Sequence, residues 1–126
     1  MPNYGDLPGG PGATGQPATA LQIGDRLNLF NAEQPAQGQA SIACAPSPTP
    51  DGSYRPMVFD IEFAAVPAGN LLIQAASVDV DSAYQTVYTS AATQQDYYVD
   101  QGSFKFYRAK NSTSNGGGNL TVTITR

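Results

Sequence analysis

The stretch that decides the fold is Met57-Val58-Phe59-Asp60-Ile61-Glu62-Phe63-Ala64. Met57, Phe59, Ile61 and Phe63 fall on one side of an extended chain, and Val58, Asp60 and Glu62 on the other. That period-two alternation is the pattern of a strand with one buried face. A helix of the same residues would scatter its apolar groups around the axis. The chain after it repeats the theme. Val66-Pro67-Ala68-Gly69-Asn70 makes a turn, and Leu71 to Ala76 follows with Leu71, Ile73 and Ala75 inward. Val78 and Val80 extend that segment or begin another. Tyr84 to Tyr88 is β-branched and aromatic, Tyr97 to Val99 begins a further run, Asp100-Gln101-Gly102 turns, and Ser103 to Ala109 returns. Asn111 to Gly118 is a polar, glycine-rich connection. Leu120 to Thr125 then alternates Leu120, Val122 and Ile124 with threonines.

Working towards the N-terminus, Ala45 to Pro56 reads as a loop, because Pro46, Pro48 and Pro50 cannot donate to a sheet ladder. Residues 31–40 read as a loop too, with a weak strand through Ser41-Ile42-Ala43. Arg26 to Phe30 is strand-like, Leu27 and Leu29 facing one way and Asn28 the other, and Leu21 and Ile23 precede the Gly24-Asp25 turn. No window of ten or more residues has a helical period, although Ser82 to Gln85 or Ala91 to Gln95 has room for one helical turn. The expectation is an all-β chain, an antiparallel β-sandwich or jelly roll of about seven to eight strands spanning residues 21–126. Residues 1–20 are different material. Pro2, Gly5, Pro8, Gly9, Gly10, Pro11, Gly12, Gly15 and Pro17 leave only Tyr4 and Leu7 to bury. Ordering such a segment costs about 1–2 kcal/mol per residue. It is expected to be an extended Gly/Pro-rich arm, either mobile or laid into a partner's groove with Tyr4 and Leu7 as anchors.

Composition narrows the chemistry. The chain has 126 residues, enough for one domain, with six basic and ten acidic residues and a net charge of -4. That balance argues against nucleic acid, which needs clustered cations; Lys105, Arg108 and Lys110 are too few. No run approaches the roughly 18 apolar residues of a bilayer span. Met1 to Asp6 has neither a basic start nor an apolar core, so no signal peptide is expected. Histidine is absent, which removes the usual general base and the commonest transition-metal ligand. The single cysteine, Cys44, excludes an internal disulfide and is expected to be a buried, inert thiol.

The carboxylates offer two pairs. Asp60 and Glu62 lie about 7 Å apart on a polar strand face, a spacing usable for glycoside hydrolysis but equally that of a solvated surface. Asp79 and Asp81, with Ser82, have the composition of a Ca²⁺ site but lack the glycine and distal glutamate of an EF-hand loop. Tyr54 and Tyr97-Tyr98 are candidate stacking rings for sugars, yet neighbours on a strand face opposite ways, so at most one of that pair shares a platform, and a place in the core or a protein interface is the expected role. No serine or threonine has an activating partner in the sequence. No catalytic residue, cofactor or metal is expected.

The second half of the chain resembles a class of small phage virion proteins. The residues that carry the resemblance are Phe59-Asp60-Ile61-Glu62-Phe63, Leu72-Ile73-Gln74-Ala75-Ala76, a Tyr/Thr/Gln-rich segment, Phe104-Lys105-Phe106-Tyr107-Arg108-Ala109 and Leu120-Thr121-Val122-Thr123-Ile124-Thr125. The resemblance implies a capsid decoration (cement) protein. Such a protein assembles in the host cytoplasm, sits on the capsid surface of the virion, and bridges subunits of the major capsid protein; a homo-oligomer, dimer or trimer, is the further partner considered. Tyr4, Leu7, Tyr97, Tyr98 and Arg108 are then the expected partner-binding residues. A tail or receptor-binding component and a carbohydrate-binding module are the alternatives. Neither nucleic acid nor membrane is an expected partner.

Overall fold

The computed structural model describes residues 18–47, 55–91, 93–112 and 118–126. Nine strands lie among them: β1 (Thr19–Leu21), β2 (Arg26–Glu33), β3 (Cys44–Pro46), β4 (Met57–Phe63), β5 (Leu71–Ala76), β6 (Gln85–Thr89), β7 (Gln95–Asp100), β8 (Phe106–Asn111) and β9 (Leu120–Thr125). They form two sheets, β1-β3-β8-β5-β6 and β2-β9-β4-β7, antiparallel throughout except where β1 runs parallel to β3. The pairing is nested. β5 pairs with β6, β4 with β7, β3 with β8 and β2 with β9, successive pairs alternating between the sheets. A long hairpin rolled up in this way is a jelly roll, the fold class expected, with one strand more than the seven or eight anticipated.

The alternation in β4 does what its pattern requires. Met57, Phe59, Ile61 and Phe63 are buried between the sheets, where they meet Leu71, Ile73 and Ala75 of β5, Tyr107 and Ala109 of β8, and Leu120, Val122 and Ile124 of β9. β2 adds Leu29 and Phe30, which are consecutive yet both buried. A bulge makes this possible: Asn28 pairs with Thr123 but Phe30 already pairs with Val122, so one extra residue turns Phe30 back to the core. The expected inward pair, Leu27 and Leu29, is kept.

Three expectations are corrected in detail. The weak strand lies at Cys44–Pro46, not Ser41 to Ala43, and so includes a proline expected in a loop. Pro46 is tolerated because the parallel ladder uses Thr19 N–H to Ala43 O and Ser47 N–H to Leu21 O, and β8 pairs only with Cys44. No partner asks Pro46 for a donor. Thr19 and Ala20 belong to the domain and not to the arm, since they pair with Cys44 and Ala45. Val78 and Val80 belong to no strand; they lie in the β5–β6 connection, which ends in a single 3-10 turn at Asp81–Ala83, overlapping the span expected to hold one.

Strand direction sorts the connections to two ends. The C-terminal ends of β1, β3, β5 and β7 lie at one end of the sandwich, and those of β2, β4, β6 and β8 at the other. Gly102 fixes the β7–β8 crossing. Its φ is +80°, and a Cβ there would lie 2.5 Å from the Arg55 carbonyl oxygen, so the turn needs glycine on both counts.

Candidate binding surfaces

The seam where the edge strands β6 and β7 face each other engages three of the five described tyrosines, Tyr88, Tyr98 and Tyr107. On β7 the side chains of Asp96, Tyr98 and Asp100 turn inward and those of Gln95, Tyr97 and Val99 outward. Asp100 is only 7% exposed. Its carboxylate accepts hydrogen bonds from Tyr98 Oη (2.6 Å), Tyr107 Oη (2.6 Å) and the Gly102 N–H (2.8 Å), which balances its burial and ties one sheet to the other. Tyr107 Oη also accepts the Phe104 N–H. Tyr98 stacks on Tyr88 of β6 with centroids 4.7 Å apart, and tilts against Phe59. Asp96 accepts from Tyr88 Oη at 2.5 Å and from the Ala91 N–H, while its other oxygen accepts the Tyr97 N–H. Hydrogen bonding to a carboxylate and burial hold these phenols above their usual range: Tyr88 is pushed up to about 12, first by its bond to Asp96, and Tyr98 and Tyr107 are raised first by burial.

Arg108 is likewise spent inside the domain. It projects from the outer face of β8, yet is 2% exposed, because the β5–β6 connection folds over it. Arg108 Nε donates to Gln74 Oε1 at 2.9 Å, Nη2 pairs with Asp81 at 2.8 Å, and the guanidinium lies 4.0 Å from the Tyr84 ring centroid. Tyr84 in turn belongs to a small buried cluster with Ala43 and Ala76, against which Ala18, Ala83 and Phe106 pack. Nη1 has no hydrogen-bond partner among the described residues. Asp79 accepts from Tyr84 Oη at 2.6 Å. Both aspartates of the candidate Ca²⁺ run are therefore engaged, and no group of three ligating side chains lies among the described residues. Cys44 is fully buried, and burial pushes its thiol up to about 12, far from a reactive thiolate.

Of the five residues expected to touch a partner, Tyr97 alone stands on the described surface, at 66% exposure. Tyr98 and Arg108 serve the internal networks just given, and Tyr4 and Leu7 lie outside the described residues.

Two surfaces remain available for binding. The first is apolar. Four of the seven exposed large hydrophobics among the described residues, Ile23 (β1–β2), Val78 and Val80 (β5–β6) and Phe104 (β7–β8), sit on connections at the same end of the sandwich, while Val66 lies at the other end and Tyr97 and Val99 on β7. Sequence reading missed this grouping because the four are scattered in the chain; only the nested strand order brings them to one end. The second is polar and flat: the outer face of the four-stranded sheet, with Asp60 and Glu62 of β4, Tyr97 of β7, and Thr121 and Thr123 of β9 around an open depression of about 560 Å³.

No family model matches the chain, and neither the curated proteins nor the solved structures contain a match.

Proposed function

We propose that this jelly roll is a structural accessory protein of a phage capsid, binding the outside of the shell and bridging neighbouring copies of the major capsid protein. The observation that carries the reading is the concentration of Ile23, Val78, Val80 and Phe104 at one end of the sandwich. Exposed apolar groups gathered in one region mark an interface more often than a solvated surface does. The jelly roll itself hosts many functions and adds only compatibility; the sequence resemblance supplies the kind of partner.

The size of that end sets what else is needed. Two sheets about 10 Å apart and four to five strands wide enclose an end of roughly 200–250 Å², against about 800 Å² per partner in a standard interface. In this reading the N-terminal arm supplies the remaining area, with Tyr4 and Leu7 as its anchors, and the bridge spans two capsid subunits. The test is binding of the purified protein to empty shells. Saturable binding at a fixed ratio per capsid subunit is expected, weakened at least tenfold by Val78→Asp with Val80→Asp and by removal of residues 1–17. Intact shells that leave the wild-type protein in solution at micromolar concentration would overturn the assignment.

A further inference from the structure

A second surface is equipped for a different ligand. Asp60 pairs with Tyr97 across β4 and β7, and with Thr123 across β4 and β9. The Phe63 N–H bonds to Gln94 O, so in this register Asp60 and Tyr97 form a pair without backbone hydrogen bonds, the kind whose side chains approach most closely. The result is a carboxylate beside the rim of an exposed aromatic ring. Glu62 and Gln95 form the next row, and Arg26 stands across Thr125 at the far side of the same depression. None of the side chains of Arg26, Asp60, Glu62 or Gln95 makes a hydrogen bond or ion pair among the described residues. In a domain whose other exposed aspartates are mostly tied down, these polar groups are left free.

We infer that this face is a saccharide subsite for a neutral oligosaccharide. Tyr97 offers the platform: the apolar C–H face of a pyranose carries partial positive charge and stacks on the negative face of the ring. Asp60, Glu62 and Gln95 accept from ring hydroxyls, and Arg26 and the Gln95 amide donate to them. Size favours such a ligand over a protein. Four strands about 4.8 Å apart and about six residues long present roughly 400 Å², half of what a stable protein interface takes from each partner, but ample for a trisaccharide lying across the strands. Charge selects within the class. Two carboxylates against one guanidinium, on a chain of net charge -4, repel sialylated, uronic or sulfated sugars. The site binds and does not cleave, because Asp60 and Glu62 rise from one face of one strand. Both meet a bound sugar from the same side, whereas hydrolysis needs carboxyl groups flanking the glycosidic bond.

The experiment is saturation-transfer NMR on the full chain with maltotriose, cellotriose and chitotriose, and with 3′-sialyllactose as the anionic probe. Transfer to the ring C–H protons of at least one neutral trisaccharide is expected, with amide shifts confined to β2, β4, β7 and β9. Tyr97→Ala is expected to weaken binding at least tenfold, Tyr97→Phe less than threefold, and Asp60→Asn severalfold, with an unchanged amide fingerprint elsewhere. Absence of transfer to all three neutral sugars would overturn the inference. So would sialyllactose binding as well as they do, or binding that survives Tyr97→Ala. A Tyr97→Ala variant that loses shell binding instead would reassign the face to protein contact. Because Tyr97 lies on a sheet face and not at the apolar end, failure here leaves the capsid reading standing.

Discussion

Replacing Asp100 with alanine tests whether the buried carboxylate at the β6–β7 seam holds the two sheets together. The substitution removes three hydrogen bonds to a charged acceptor, from Tyr98, Tyr107 and the Gly102 N–H. Bonds to ions are worth about 1.5–3 kcal/mol each in net terms, so simple addition gives about 4.5–9 kcal/mol. Two effects reduce that sum. Tyr98 is only half-buried, so water can take over its hydroxyl, and losing the charge relieves the cost of keeping a carboxylate out of water. Tyr107, with no exposed surface, has no such relief, and its hydroxyl and the Gly102 N–H are left facing a gap. The expected loss is about 3 kcal/mol, or a fall in Tm of roughly 12 °C at about 4 °C per kcal/mol for a chain of this size. Urea unfolding followed by far-UV circular dichroism measures it, with Asp60→Ala as the exposed control, expected within about 0.5 kcal/mol of wild type. If Asp100→Ala unfolds within 1 kcal/mol of wild type at unchanged m-value, the cross-sheet network is not a stabilising element and the reasoning fails.

The hydrogen bond from Arg108 holds the Asp81 carboxyl below its usual range, so its contribution is present above the unfolded value near 3.9 and lost as pH falls through the lower folded one. Solvent around a carboxylate that is 72% exposed limits it to about 1 kcal/mol; Asp81→Asn is expected to flatten this part of the acid limb in thermal melts between about pH 4 and 2, and an unchanged limb would contradict the pairing. Tyr84, Tyr88, Tyr98 and Tyr107 are all raised, so the stability they carry is full below the unfolded value near 10 and lost as pH rises towards 12 and beyond. Absorbance at 295 nm is expected to show these four of the seven tyrosines ionising only as the protein unfolds, whereas titration of all seven near pH 10 in folded protein would refute the hydrogen bonds. Gly102→Ala is expected to cost at least 2 kcal/mol, from a positive φ and a clash with the Arg55 carbonyl, and Gly38→Ala only about 1, since its φ is also positive but its surroundings are open; equal chemical-denaturation midpoints for the two would show that the Arg55 contact does not constrain the turn.

What the sequence disclosed, and what it withheld, follows from where each strand sits. β4, β5 and β9 are read correctly because they are central in their sheets with a dry inner face, so alternation and burial coincide. β7 obeys the opposite logic. By hydropathy its Val99 belongs inside and its aspartates outside, yet Asp96 and Asp100 point inward and Val99 is 46% exposed. The compensation comes from Tyr88 and Tyr107 on the other sheet, which no local pattern announces. Arg108 was legible as a cation on an aromatic strand, but its burial depends on a connection that folds back over it. The pairing of Asp60 with Glu62 on one face was visible from spacing alone; that Tyr97 stands beside Asp60 required the strand register.

Asp96 also has a bearing on what this protein avoids. In the β7 ladder the N–H groups of Gln95, Tyr97 and Val99 point away from β4, towards the open edge. The carboxylate of Asp96 bends back to occupy the middle donor of that row and is anchored by Tyr88 of the opposite sheet and by Ala91 of the β6–β7 connection. A second chain approaching edge-on therefore finds its central docking point taken and a negative charge in the way. Crowded side by side at high local concentration, copies of this domain have at this edge a built-in defence against zipping into continuous sheets, and one aspartate carries most of it.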